Sequence, residues 1–257
     1  LNAVSIGVVA IGAGGGTGGA VSINNAAYLQ TEGTYAAGAV AQSVGGGGGS
    51  ATGGLGIVQS ILGIFNKGKQ LIALASGSNG GAGDGGAVTL TNSGQVVTKG
   101  MASTGLLAQS IGGGGGLATG GDTVSIGGTG TGNAQSSNGQ TVTVTSLESG
   151  YIQTTGNEAV GIIAQSVGGG GGISLNSDGD VSFDITQANG SAGGVTVTNA
   201  ATIHTSGIGA TAVIAQSVGG GGALVVSAGP NVNISTTGTN HTGNGGAVIH
   251  TVDCYNL

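Results

Sequence analysis

Gly161-Ile162-Ile163-Ala164-Gln165-Ser166-Val167, followed by Gly168 to Gly172, decides how this chain is read, because the phrase occurs four times. The other copies are Ala41-Gln42-Ser43-Val44 with Gly45 to Gly49, Ala108-Gln109-Ser110-Ile111 with Gly112 to Gly116, and Ala215-Gln216-Ser217-Val218 with Gly219 to Gly222. Their glutamines stand 67, 56 and 51 residues apart. Self-similarity at a period of tens of residues marks stacked repeats rather than one irregular core. Ordering a glycine costs about 0.5–1 kcal/mol relative to alanine, so a run of five in copy after copy implies a fold that needs bare backbone there.

Working outward, each phrase is preceded by two shorter ones. Val21-Ser22-Ile23-Asn24, Val88-Thr89-Leu90-Thr91-Asn92, Val142-Thr143-Val144-Thr145 and Val195-Thr196-Val197-Thr198-Asn199 form one series, and Val248-Ile249-His250 opens a fifth. Gln95-Val96-Val97-Thr98, Tyr151-Ile152-Gln153-Thr154 and Thr202-Ile203-His204-Thr205 form another. Alternation of β-branched residues with period 2 argues for strands and against helix. In the fourth unit the pattern predicts strands at 173–175, 181–185, 195–198, 203–205 and 211–218, punctuated by Gly, Asn, Asp and Ser. Strands so short need stacking to bury their apolar side. The expected fold is therefore all-β: a right-handed parallel β-solenoid of about four Gly-rich repeats, with two rungs per repeat favoured over one large rung. The repeats fall at approximately 1–49, 50–116, 117–172 and 173–222, with a partial one at 223–257, all within one domain. The glycine runs have three roles open to them: extended walls packed through Cα–H···O contacts, corners with positive φ, or loose loops. Ordered walls or corners are favoured, because every run leaves a strand in the same register.

One segment has no counterpart in the other units. Between 56 and 69, Ile57, Val58, Ile61, Leu62 and Phe65 recur at helical spacing, and Asn66 to Lys69 reads as a C-terminal stop. A short helix or hairpin insertion is expected here. Ile57, Ile61, Phe65, Lys67 and Lys69 are its candidate contact residues, either over the surface of the repeats or to another subunit.

Composition narrows the functional classes. Of 257 residues 63 are glycine, only 5% are charged and 2% aromatic, and there is no Trp and no Arg. Ordinary domains carry about a quarter charged residues. No stretch approaches the roughly 18 uninterrupted apolar residues of a spanning helix. Collagen is excluded by the single proline and the lack of a three-residue glycine period. A net charge of −6 with three lysines builds no basic surface for nucleic acid. The one cysteine, Cys254, precludes an internal disulfide framework.

Sites of chemistry are sparse. Asp178, Asp180 and Asp184 are the only dense carboxylate cluster, without a full Ca²⁺ ligand set. Gly80-Gly81-Ala82-Gly83-Asp84 approaches a Ca²⁺-binding repeat but does not recur, and reads as a turn. His204, His241 and His250 have no partners at metal-ligand spacing. The serines of the repeated phrase have no His or Asp recurring beside them, so a nucleophile reading fails. No catalytic, cofactor-binding or metal residue is assigned, no cofactor is expected, and the chain is expected not to be an enzyme. The candidate residues are structural: Gln42, Ser43, Gly45, Gly49, Gln109, Ser110, Gly112, Gly116, Gln165, Ser166, Gly168, Gly172, Gln216, Ser217, Gly219 and Gly222.

The phrase Ala-Gln-Ser-[Val/Ile] with its glycine run, together with Val-Thr-Val-Thr-Asn at 195–199, resembles the Gly-rich passenger regions of bacterial autotransporters and filamentous-haemagglutinin-like adhesins. The resemblance covers about 1–250. It implies export to the bacterial cell surface, a long β-solenoid stalk and no catalysis. That family's membrane-anchoring barrel and end caps lack counterparts in this sequence, so the chain is expected to be a segment of something longer or to be capped by neighbouring molecules. Thr251 to Leu257 depart from the repeat.

Two functions remain. The first is an extracellular structural fibre or adhesin stalk that self-associates into filaments through rung stacking and Gly-wall packing. The second is a surface-binding module whose Thr-rich faces meet a surface glycan or ice. Ice binding requires an unbroken Thr array, which Ser22, Leu90 and Ile249 are expected to interrupt.

Overall fold

The computed structural model describes residues 6–11, 16–46, 75–77, 83–119, 123–129, 137–175, 180–186, 189–227, 232–237 and 242–252. Among these there is no helix, and every strand pairing is parallel. The 56–69 insertion, with Ile57, Ile61, Phe65, Lys67 and Lys69, lies outside the described residues, as do Gly49, Asp178, His241 and Cys254.

The strands sort into five sheets. Sheet I holds β2 (Val21–Asn25), β6 (Val88–Asn92), β11 (Val142–Ser146), β16 (Val195–Asn199) and β21 (Val248–Val252). Sheet II holds β3 (Leu29–Thr31), β7 (Gln95–Thr98), β12 (Tyr151–Thr154) and β17 (Thr202–Thr205). Sheet III holds β1 (Ile6–Ile11), β4 (Ala39–Val44), β8 (Thr104–Ile111), β13 (Val160–Val167) and β18 (Thr211–Val218). Sheet IV holds β9 (Gly115–Thr119), β14 (Gly171–Leu175) and β19 (Gly222–Ser227). Sheet V holds β5 (Ala75–Gly77), β10 (Thr123–Thr129), β15 (Asp180–Thr186) and β20 (Val232–Thr237). The chain visits sheets I, II, III, IV and V in order and then returns to I.

Register shows how many rungs a repeat makes. Gln42 pairs with Gln109, Gln109 with Gln165 and Gln165 with Gln216. Each strand thus neighbours its own counterpart one repeat later, so a repeat makes one large rung and not the two expected. Part of the difference in repeat length lies in turns: two residues lie between Asn92 and Gln95, but four between Ser146 and Tyr151. The first passage is shorter still, since Ile6 pairs with Ala39. There the chain runs from β1 to β2 with only nine residues between them.

The alternating pattern translates directly into burial. In β2 Val21, Ile23 and Asn25 are buried, and Ser22 and Asn24 are exposed. Sheets I, II and III enclose the main core, in which Val88, Leu90, Val142, Val144, Val195 and Val197 meet Val96, Ile152, Leu106 and Ile162. Sheet III is covered on both faces. Ala108 and Ala164 point into that core, and Leu107 and Ile163 point the other way, onto Ile173 and Leu175 of sheet IV. Strands β8 and β13 are accordingly buried along their whole length, as parallel strands covered on both faces are. Burial of each large aliphatic side chain contributes about 1.5–3 kcal/mol.

The glycine runs are corners between sheets III and IV. Gly113, Gly114 and Gly115 have φ of 82°, 85° and 125°, and Gly169, Gly170 and Gly171 repeat them at 82°, 92° and 136°. Their N–H groups are used internally: Gly113 donates to Gly83 O at 3.0 Å and Gly114 to Gly45 O at 2.9 Å. Gly169 and Gly170 repeat the pattern, onto Ser137 O at 2.8 Å and Gly112 O at 2.7 Å. Most of these glycines are buried, so they form no outward wall for lateral packing. The first glycine of each run abuts backbone from the passage next to it, and a Cβ on Gly112 would lie 2.5 Å from Asn138 C.

That crowding predicts an asymmetric glycine scan. Gly112→Ala should destabilise the protein by about 1–3 kcal/mol through overpacking. Gly113→Ala adds left-handed strain of about 1–2 kcal/mol. Gly194→Ala, where a Cβ would meet only Ala247 O at 3.5 Å, should be neutral or slightly stabilising. Urea unfolding of the three variants measures the contrast.

Candidate functional site

The repeated residues converge on cross-rung ladders. The side chains of Gln42, Gln109 and Gln165 are buried in sheet III, on the face turned to sheet IV. Gln42 Nε2 donates to Gln109 Oε1 at 2.5 Å, Gln109 to Gln165 at 2.7 Å and Gln165 to Gln216 at 2.7 Å. A buried amide with no partner would cost about 1–3 kcal/mol. Stacking identical amides in register satisfies donor and acceptor together, as in amide ladders of cross-β assemblies.

Each following serine points to the other face and brackets two passages. Ser110 Oγ donates to Gly86 O at 2.8 Å and accepts from Gln140 N at 2.9 Å. Ser166 Oγ donates to Gln140 O at 2.8 Å and accepts from Gly193 N at 2.9 Å. Ser43 and Ser217 do the same between Gly19 and Gly86 and between Gly193 and Gly246. The hydroxyl sits where the glycine-rich lead-in to sheet I passes the end of sheet III. There it joins carbonyl and N–H groups of neighbouring passages. Gly85 and Gly139 leave room for it, since a Cβ at either would fall 2.5–2.6 Å from the serine oxygen.

Two further ladders carry no repeated phrase. Four residues before the first valine of sheet I, Asp84 Oδ1 accepts from Asn138 N at 2.6 Å, Asn138 Oδ1 from Ser191 N at 2.9 Å and Ser191 Oγ from Asn244 N at 3.2 Å. Asp84 is therefore a rung-to-rung acceptor. Four residues after that valine, Asn25 Nδ2 donates to Asn92 Oδ1 at 2.8 Å. The next passage has Ser146 there, and Ser146 Oγ and Asn199 Oδ1 are both buried without a partner. Alignment on the valines exposes both ranks.

The remaining candidates do not gather. Gly45, Gly112, Gly116, Gly168, Gly172, Gly219 and Gly222 all lie at the corners or at the entry to sheet IV. Asp180 and Asp184 lie on β15, in register with Thr123 and Gly127. His204 is on β17 and His250 on β21. Among the described residues no three His, Cys, Asp or Glu side chains cluster as a metal site. The ion pair of Lys99 Nζ with Glu32 Oε1, 3.3 Å apart, joins two passages at the exposed surface. Hydrogen bonds from Lys99 and then Gln30 hold the Glu32 carboxyl below its usual range, but such exposed pairs contribute little.

Compared with known families, with curated proteins and with solved structures, the chain matches none.

The ladders make two predictions. Gln165→Leu leaves Gln109 Nε2 and Gln216 Oε1 without their partner, and should destabilise by about 1–3 kcal/mol for each group. Changing all four glutamines to Leu together should recover much of that loss. Ser146→Asn should instead stabilise by about 0.5–1.5 kcal/mol, by linking Asn92 to Asn199. Thermal and urea unfolding read both.

Proposed function

We propose that this chain is a right-handed parallel β-solenoid and that it works as a structural rod, the stalk or fibre of a bacterial extracellular adhesin. The observation that carries the reading is the in-register pairing of Gln42, Gln109, Gln165 and Gln216, one from each repeat. It makes each repeat one coil of a stack that can be lengthened by further coils without changing its section. Right-handed crossovers are the rule for parallel strands joined in this way. The polar ladders suit a mechanical role, since they tie every coil to the next along the axis. The resemblance of the Gln-Ser-Gly phrase to autotransporter and filamentous-haemagglutinin-like passengers supports the same location, outside the cell.

Self-association into filaments is part of the same reading. The last described coil presents β21 with Val248, Ile249 and Val252 exposed. A further coil, of this chain or of a second copy, would pair there as each coil pairs with the one before it.

Cryo-electron microscopy of the full chain tests the rod. Elongated particles or filaments with an axial repeat near 4.8 Å are the expected result. Globular particles lacking that repeat would overturn it. Val248→Lys should shorten or abolish any filaments while leaving the rod intact, because charge blocks an open strand edge.

A further inference from the structure

The outward face of sheet I is a net of threonines. Thr89, Thr143 and Thr196 occupy one register position, and Thr91, Thr145, Thr198 and Thr251 another. Leu90, expected to interrupt this array, is in register with Ile23 and Val144 and buried in the core. Three successive coils therefore present Thr-x-Thr without a break or a register shift. Ser22 and Asn24 continue the ranks at one end, and Ile249 stands in line at the other. None of these positions is charged or aromatic. Among the described residues no protein group engages the six central hydroxyls.

We propose that this face binds ice. Strand pairing sets neighbouring threonines of a rank about 4.8 Å apart, and the two ranks stand about 6.6 Å apart along the strand. That is a rigid two-dimensional net on the scale of the water-oxygen repeats of an ice surface. Threonine is stiff at χ1, so its hydroxyl and methyl are held in place before contact. The hydroxyls can anchor lattice water while the methyls occupy the hollows between. A neutral lattice is the matching occupant for a face without charge, and only a periodic one engages every coil alike. A soluble sugar is normally gripped in a concave site with an apolar or aromatic floor, and this face offers no ring to stack on. The inference does not depend on the stalk reading, because an isolated rod would show it.

The test is growth of a single ice crystal in buffered solution of the full chain, with thermal hysteresis and crystal shape as readouts. The intact protein should shape the crystal and delay its growth. Thr143→Tyr with Thr196→Tyr should remove most of the hysteresis while the melting temperature holds, and Thr202→Tyr on sheet II should leave it unchanged. Thr143→Ser with Thr196→Ser, a milder pair that deletes only two methyls, should lower it if the tyrosine pair fails to fold. Unshaped crystals with the intact protein, or hysteresis untouched by the rank substitutions, would overturn the proposal. So would rank-dependent binding to cellulose or chitin without any effect on ice, which would make the face a polysaccharide site.

Discussion

Every part of this structure depends on one constraint: each strand must meet its own counterpart one repeat later, in register. A slip of one residue would turn Val88, Leu90, Val142 and Val144 to solvent and bring the threonines between them into the core. Apolar burial penalises such a slip but does not by itself distinguish a two-residue slip, which restores the alternation. The polar ladders do. Gln109 finds Gln165, and Ser110 finds Gly86 and Gln140, at only one offset. Buried polar groups of this kind contribute more to uniqueness than to net stability, because only the unslipped arrangement pairs the glutamines and serines of the repeated phrase.

The same constraint explains where irregularity is permitted. Repeat spacings of 67, 56 and 51 residues coexist with matched ladders, and the turn between Ser146 and Tyr151 holds two of the residues by which the spacing of 56 exceeds that of 51. Corners cannot absorb them so freely. At the glycine runs the backbones of adjacent passages approach too closely for a Cβ, and two to four successive glycines take positive φ from Gly113, Gly169 and Gly220 onward. The corner between sheets II and III shows the alternative. Tyr35, Ala102 and Glu158 take positive φ at the place that Gly209 occupies one coil later, where a Cβ would meet only Glu158 Cγ, at 3.5 Å.

Much of this was legible in the sequence, and the limits have physical reasons. Period-2 alternation located the strands of the fourth unit to within two residues at each end, since β16 and β18 are defined by one-sided or two-sided burial. The number of rungs per repeat was not legible. A spacing of 51 residues fits two three-sided rungs or one five-sided rung equally, and only pairing decides. The role of the serines was hidden because their partners are backbone groups, which carry no residue signature. The ranks of Asp84, Asn138 and Ser191 were hidden because unlike side chains serve as the same acceptor. Leu90 was placed in the threonine rank because the alternation was counted by residue type, and a leucine among threonines looks like an interruption. Counted by position it belongs to the inward set, with Ile23 and Val144.

The glutamine ladder also has a direction, and this bears on how coils can be added. At every step the earlier glutamine donates and the later one accepts. Gln216, last in the ladder among the described residues, accepts from Gln165, so the series would be continued by donation from its amide to a further strand. An incoming coil gains a hydrogen bond there only if it carries an acceptor in that register. β1 carries Val9 at the position opposite Gln42. A second copy that laid its β1 on β18 would therefore set a valine against Gln216 and leave the amide unmatched, at a cost of about 1–3 kcal/mol. In the self-association we propose, a joint that set β1 on β18 would therefore be weaker at this position than the pairing between successive repeats.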